Sequence, residues 1–390
     1  MNGTLSLSGR AASAAAAAVV LAGVVTAAGP ASAAPSAAAP SAAACTPRLQ
    51  VLGAIGSSVY NPGGPQADGV IGLGKGNLSV GVSGGLPVYW TGTTVHKVPL
   101  TAPAASGEVL AVNKDALMVG RAFTTGGGGY LFTYRAGAAA VTPLPGGDEL
   151  YGEADVNDAG YVVSRNRAGV GLVWKDGQKV RELAPPADAP PHSFVDLVTG
   201  INNKGDIAGT AKVNYYDSDH DQQLWESIPV VWPADGGPAK SLAPSGGGIY
   251  QESRVQDIDE SGRVVGYDWY GPGYAYKPWT WTAPYTAPGT SPGTPAPFPY
   301  GTFEAISPTT NISVGTAKFH PDEPTRADQA QLWKGTGPVL ALPRLAADKA
   351  STATAVSDDG RVGGAAVNAN GKLKPVIWTC AAQQAYLSQS

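Results

Sequence analysis

The sequence predicts an all-β fold, a seven-bladed β-propeller of four-stranded antiparallel blades whose ring is closed by the N-terminal strand. Three observations carry this. One phrase, Asp/Val-Ile/Val-Asn-x-x-Gly-x-Val-Val-Gly followed by Pro-Val-Val-Trp and a Leu, is written seven times. Its Val-Gly pair runs from Val80-Gly81 to Val362-Gly363, 282 residues over six intervals, a mean period of 47. Self-similarity at that period, built from strand and turn residues, marks a modular β architecture. The last copy has no Leu strand after Trp378, while an unassigned strand, residues 48–52, precedes the first copy. The two cysteines, Cys45 and Cys380, flank that same junction.

Each copy reads as four strands. The first is short and centres on Val156, Ile201, Ile258 or Val356 in the clearest copies. A turn follows, as in Asn157-Asp158-Ala159-Gly160 and Asn202-Asn203-Lys204-Gly205. An Asx residue opening the turn and a Gly in its left-handed position suit a tight hairpin. The second strand carries Val80-Gly81, Val119-Gly120, Val163-Ser164, Ala208-Gly209, Val265-Gly266, Val314-Gly315 or Val362-Gly363. The third closes on an aromatic, in order Trp90, Tyr134, Trp174, Trp232, Trp281, Trp333 and Trp378. The fourth carries Leu100, Leu144, Leu183, Leu242, Phe298 or Leu342. Seven such blades in a ring leave only short, protected edges. Residues 48–52 then complete the last blade beside Pro375–Cys380, which places Cys45 next to Cys380. A disulfide closing so long a loop stabilises by about 4–5 kcal/mol in the chain-entropy picture.

The ends and the composition bound the rest. Arg10, the apolar stretch from Ala11 to Ala28 and Ala31-Ser32-Ala33 form a secretory signal over residues 1–33. Residues 34–44 are an Ala/Pro/Ser-rich leader, the propeller spans 45–381, and 382–390 form a C-terminal tail. Ala42-Ala43-Ala44-Cys45 also reads as a lipoprotein acylation site, although Cys45 lies 17 residues beyond the apolar stretch. In an oxidising compartment a lone pair of cysteines is more often a disulfide. With 52 glycines, 33 prolines and only 14% charged residues, the chain favours short strands and tight turns over long helices. A net charge of −4 without basic clusters argues against nucleic acid and anionic membrane as partners. A secreted, extracellular monomer without membrane insertion is the expectation.

Copies such as Gly200-Ile201-Asn202-Asn203-Lys204-Gly205-Asp206-Ile207-Ala208-Gly209 with Pro229-Val230-Val231-Trp232 resemble the HAF-type repeats of extracellular bacterial proteins. The resemblance covers residues 66–380. It implies a secreted repeat protein of propeller type and carries no catalytic residues. The first, second and sixth copies depart from the pattern. Gly76-Asn77 and Asn113-Lys114-Asp115-Ala116 lack part of the turn, and Ser307-Pro308-Thr309-Thr310-Asn311 replaces Asn-x-x-Gly.

The repeated tryptophans are expected to pack between blades rather than bind ligand. Aromatic residues outside the repeat are the better candidates, since loops on a rigid scaffold usually carry function. Tyr215, Tyr216, Trp269, Tyr270, Tyr274 and His320 fall between the second and third strands of blades four, five and six, and all three connections emerge on one face. They are the expected ligand-binding residues. Asp217, Asp219 and Asp221 alternate in the blade-four connection and are a candidate ion site. Asp257-Ile258-Asp259-Glu260-Ser261-Gly262, with Asp268 at position twelve, partly fits a calcium loop. It lacks the final Glu and the flanking helices, and turn chemistry accounts for it. No cofactor is expected. Gly81-Val82-Ser83-Gly84-Gly85 matches G-x-S-x-G, but no helix follows the Ser as a nucleophile elbow requires. The four histidines have no zinc spacing.

The leading functional expectation is a non-catalytic binding or scaffold module for an extracellular carbohydrate or protein, using the blade-four to blade-six connections. One alternative is a glycoside hydrolase or lyase whose carboxylates, among Asp217, Asp219, Asp268, Asp322 and Glu323, converge on that face. Another is a structural cell-envelope protein without a specific ligand.

Overall fold

The computed structural model describes residues 45–61, 66–147, 152–218, 221–243, 251–270, 275–320, 323 and 326–388; the signal and leader segments lie outside them. Strand β1 (Arg48–Val51) opens the fold. Blade one is β2 (Asp68–Leu73), β3 (Leu78–Ser83), β4 (Leu86–Thr91) and β5 (Thr94–Lys97). Blade two is β6 (Ala104–Val112), β7 (Met118–Thr124), β8 (Gly129–Tyr134) and β9 (Thr142–Pro143). Blade three is β10 (Asp155–Val156), β11 (Tyr161–Arg165), β12 (Gly171–Lys175) and β13 (Gln178–Leu183). Blade four is β14 (Phe194–Ile201), β15 (Ile207–Asp217), β16 (Gln222–Trp232) and β17 (Lys240–Ser241). Blade five is β18 (Gln251–Ile258), β19 (Val264–Tyr270) and β20 (Ala275–Trp281). Blade six is β21 (Tyr300–Ile306), β22 (Ser313–Lys318), β23 (Gln329–Trp333) and β24 (Leu340–Ala341). Blade seven is β25 (Ser351–Val356), β26 (Val362–Val367) and β27 (Leu373–Thr379), with helix α1 (Ala381–Gln384) after it. Every pairing within a blade is antiparallel and follows chain order, so the protein is a seven-bladed β-propeller.

The ring closes at the expected junction. β1 is the outermost strand of blade seven, in the order β1-β27-β26-β25, with Arg48 opposite Thr379 and Val51 opposite Val376. Leu52 N–H donates to Pro375 O at 2.9 Å. Cys45 and Cys380 form a disulfide, with Cα atoms 5.9 Å apart and 335 residues between them in sequence. A sulfur so engaged is not free for acylation. The tail is not detached either, because Tyr386 exchanges backbone hydrogen bonds with Ala341 at the edge of blade six.

In five of the seven blades the tryptophan at the end of the third strand locks that blade to the one before it. The indole N–H of Trp174 donates to Pro145 O (2.9 Å), Trp232 to Ala184 O (2.7 Å), Trp281 to Ala243 O (2.9 Å) and Trp378 to Pro343 O (2.8 Å). Each acceptor directly follows the Leu of the preceding blade's fourth strand. Trp90 completes the series by donating to Gly53 O at 2.7 Å, the residue after Leu52. Leu52 and Ile377 of blade seven pack with Val70, Val88 and Trp90 of blade one. The N-terminal strand therefore supplies the blade-seven edge, the Leu and the carbonyl together.

Small residues in the second strand have an equally local cause. In six blades a bulge in the first strand turns a carbonyl onto the facing Cα of the second strand. A Cβ at Gly81, Gly120, Gly209, Gly266, Gly315 or Gly364 would overlap the oxygen of Gly69, Glu108, Leu197, Arg254, Thr302 or Thr352. Blade three has Ser164 there, its first strand has only two residues, and Ser164 Oγ donates to Glu153 O at 2.5 Å. In blade seven the equivalent residue is Gly364, opposite Ala353, one position beyond the expected Gly363.

The Asn turns do more than reverse the chain. Asn157 Oδ1 accepts Tyr161 N–H within its own turn (3.0 Å), while its amide donates to Asn202 O in the next (3.1 Å). Asn113 reaches Asn157 O at 3.0 Å and Asn202 reaches Asp259 O at 3.1 Å. The chain of contacts continues through Glu260 N–H to Pro308 O (2.9 Å) and Thr309 N–H to Asp358 (2.8 Å). An Asp has no amide to donate, so at Asp259 the link passes to the backbone. Where the turn Gly is missing, Ala116 (φ 57°) and Asn311 (φ 67°) take the left-handed conformation instead.

Two expected fourth strands differ. In blade one it ends at Lys97, and Val98, whose N–H donates to Pro87 O at 2.9 Å, fills the place expected for Leu100. Blade five has only three strands. Phe298 is buried, but the six prolines between Pro284 and Pro299 cannot donate to a ladder, and a single Thr280–Thr290 bridge stands where the fourth strand would be.

Two outcomes follow. The unreduced protein has no titratable thiol, and Cys45→Ser lowers unfolding stability by up to about 4 kcal/mol in urea melts. Gly266→Ala costs about 2–3 kcal/mol in the same melts, because the Arg254 carbonyl cannot retreat without breaking the bulge.

Candidate ligand-binding face

The connections between second and third strands leave the ring at one end, and blade four is the exception among them. β15 and β16 have 11 residues each, against five to seven in the other blades. At the rise of a β-strand the extra residues project an arm about 13 Å past the neighbouring hairpins. The aromatic residues expected in loops thus stand largely on strands. Tyr215, Tyr216 and Asp217 belong to β15, and Trp269 and Tyr270 end β19. Asp219, Tyr274 and Asp322 lie outside the described residues.

Strand alternation assigns these side chains to faces. Lys212, Asn214 and Tyr216 share one face of β15, and Trp225, opposite Asn214, shares it from β16. Ala208 on that face packs with Val255 and Trp279 of blade five, so the face looks toward blade five. Tyr216 and Trp225 are diagonal neighbours, 55% and 41% exposed. The Lys212 ammonium lies 4.8 Å from the Trp225 ring centroid and 3.3 Å from Glu252 Oε1. Glu252 also holds Arg254 at 3.2 Å. From blade five, exposed Lys277 stands 5.3 Å above the Trp279 ring, on the side facing blade four. A groove between the arm and blade five is thus walled by Tyr216, Trp225 and Lys212 on one side and by Lys277 on the other.

The blade five to blade six side has the same character. Lys318 lies 4.9 Å from the Tyr276 ring, which meets Tyr267 edge-on at 5.8 Å. His320 lies 6.2 Å from Tyr300. Half-buried Trp269 and His320 are brought to this side rather than to the arm. Lys212, Trp225, Lys277 and Lys318 escaped the sequence reading because they sit on strands. The signal available was the unusual length of the segment between Gly209 and Pro229.

Among the described residues, three carboxylates on this face are committed elsewhere. Buried Asp268 accepts Ser253 Oγ at 2.7 Å, and Glu323 pairs with Arg326 at 3.0 Å. Asp221 accepts the Tyr216 hydroxyl. Among the described residues, no three His, Cys, Asp or Glu side chains gather as a metal site. In the turn resembling a calcium loop, Asp259 Oδ1 receives Ser261 N–H (2.8 Å), Ser261 Oγ (2.7 Å) and Arg263 N–H (2.7 Å). Asp257 receives Ile258 N–H (2.7 Å) and, across the blade boundary, Ile306 N–H (2.9 Å). Ser83 is buried, donates to Asp68 at 2.6 Å and accepts Ile55 N–H at 2.9 Å, so its hydroxyl is structural.

Raised carboxyl pKa values occur instead in the central channel, a cavity of about 740 Å³ lined by residues of all seven blades. Burial pushes the Glu153 carboxyl up, helped by Glu108 and Glu304 and opposed by Arg121 and Arg254. Burial also raises Asp155 and, more strongly, Asp257, against the two backbone N–H groups each accepts; the Asp155 and Asp259 carboxylates raise Asp257 further. Asp155 spans from blade three to Ile201 N–H of blade four at 2.9 Å, as Asp257 spans from five to six.

Protein-family models and curated proteins give no match to this sequence. Among solved structures, the chain is similar to the β-propeller domain of the Trilobed protease from Pyrococcus furiosus, with a TM-score of 0.51 and 10% identity. That likeness covers 83% of this chain and 95% of the other, and it shows a shared β-propeller fold. A protein of unknown function from Dyadobacter fermentans aligns over 75% of this chain and 83% of its own, at 13% identity and a TM-score of 0.39. Among the described residues, no helix is long and apolar enough to cross a membrane.

The channel carboxylates have a pH signature. A carboxyl raised on folding contributes stability below its unfolded pKa and loses it as pH rises through its folded value. Glu153→Gln therefore raises the melting temperature at pH 8 and has no effect at pH 4, measured by calorimetry across that range.

Proposed function

We propose that this propeller is a secreted, non-catalytic module that binds extracellular carbohydrate through the face formed by blades four to six. The observation that carries the reading is the pair Tyr216 and Trp225, exposed on one side of an arm that no other blade has among the described residues. Large exposed aromatics are uncommon among the described residues, and two of them adjoin here. Flat aromatic faces fit the apolar faces of sugar rings, while flanking amines and hydroxyls set orientation. The signal-like N-terminus, the HAF-like repeats and the disulfide support an extracellular setting. Among the described residues, the carboxylates of Asp221, Asp268 and Glu323 on this face are already bonded, which supports binding over hydrolysis.

A glycan array of the disulfide-closed chain tests this. Binding to at least one glycan family is expected. Trp225→Ala weakens that binding by about tenfold or more, as an aromatic anchor does, with an unchanged melting temperature. No glycan signal, or glycan binding untouched by this change, contradicts the reading; capture of a protein ligand alone favours the scaffold alternative.

A further inference from the structure

The groove between blades four and five is not only aromatic. Each ring on this face that meets a cation meets a lysine or arginine at cation–π distance: Lys212 on Trp225, Lys277 on Trp279, Lys318 on Tyr276 and Arg326 on Phe319. Three of these are not simply balanced by neighbouring acids. Glu252 is shared by Lys212 and Arg254, two cations on one carboxylate. Lys277 and Lys318 have no carboxylate within ion-pair distance among the described residues. Asp268, the cross-strand partner of Lys277, is buried and turned to Ser253. The face therefore presents two ammonium groups, Lys277 and Lys318, that stand beside aromatic rings and outside any ion pair among the described residues.

We infer that the ligand is an anionic polysaccharide. This rests on the carbohydrate reading above and narrows it. A neutral sugar takes hydrogen bonds from an ammonium group but gains nothing from its charge. A uronate or sulfated sugar uses both the aromatic and the charge, because its ring stacks on an aromatic while its acid group projects from the ring toward a cation. Tyr216 and Trp225 offer the ring platform in the groove. Lys277 across the groove, and Lys318 over the far side of the blade-five hairpin, offer points for successive acid groups of one chain. Their partial desolvation against aromatic rings strengthens the attraction relative to a lysine standing free in water.

The test titrates the disulfide-closed chain with four probes: polygalacturonate, a sulfated galactan, a neutral galactan and polyglutamate. Binding to one or both anionic polysaccharides at least about tenfold tighter than to the neutral galactan is expected, and the tighter of the two names the acid group. Raising salt from about 50 to 500 mM weakens that binding about tenfold or more, since exposed charges are then screened within a few ångströms. The double variant Lys277→Gln/Lys318→Gln reproduces the loss at low salt and leaves the melting temperature unchanged. Neutral galactan bound as well as the anionic polymers overturns the inference and leaves the carbohydrate reading standing. Polyglutamate bound as tightly as the polysaccharides overturns it in favour of an acidic protein. No binding to any probe, with none on the glycan array, overturns both.

Discussion

The indole N–H that reaches back to the preceding blade is the contact on which the rest of the ring depends. Each of the five tryptophans in this series is buried against two blades and donates to the carbonyl after the previous blade's Leu. The two contributions differ in size. A hydrogen bond of this kind is worth about 1 kcal/mol net, whereas emptying a buried indole site costs about 3–5 kcal/mol. Packing supplies the stability, and the hydrogen bond fixes which blade the ring packs against. Blade six shows what happens without the partner. Blade five has no fourth strand, and Trp333 turns to Gly337 O of its own blade at 3.0 Å.

That constraint explains the odd closure. Blade seven needs a fourth strand at its edge, and Trp90 needs the carbonyl that follows such a strand. β1 solves both needs, because Leu52 and Gly53 follow it into the positions that Leu-Pro or Leu-Ala occupy elsewhere. The disulfide then ties the strand's entry to the end of β27. A second series of contacts, through the turns that end each first strand, runs from blade two to blade seven.

Much of this was legible in the residues. The phrase length, the missing strand and the cysteine pair led to seven blades and to their junction. Less legible was why the phrase contains what it does. The Gly of Val-Val-Gly answers to a carbonyl on another strand, and the Asn to a carbonyl on another blade, neither of which leaves a mark in local periodicity. Gly363 and Gly364 are adjacent, so only register could choose between them. The Pro-rich stretch after Trp281 kept the Phe298 landmark while abolishing the strand it stood for. The candidate site was readable in outline, as aromatics between strands of blades four to six. Its lysines were not, because a lysine on a strand looks like any solvated position until the blade opposite it is known. The raised carboxyls of the channel were hidden inside the repeat itself, where Asp155 and Asp257 read as turn residues.

A division of labour results. What every blade shares builds the ring, while blade four carries an extended arm beside blade five that the shared phrase does not require. The most direct measurement of the first half of this account is hydrogen exchange at the indole N–H groups, resolved by NMR. Trp90, Trp174, Trp232, Trp281 and Trp378 are predicted to exchange only through global unfolding, with one common free energy, while the exposed Trp225 indole exchanges fast. Staple indoles that exchange at rates near that of Trp225, or with free energies scattered blade by blade, would contradict a ring held together by this contact.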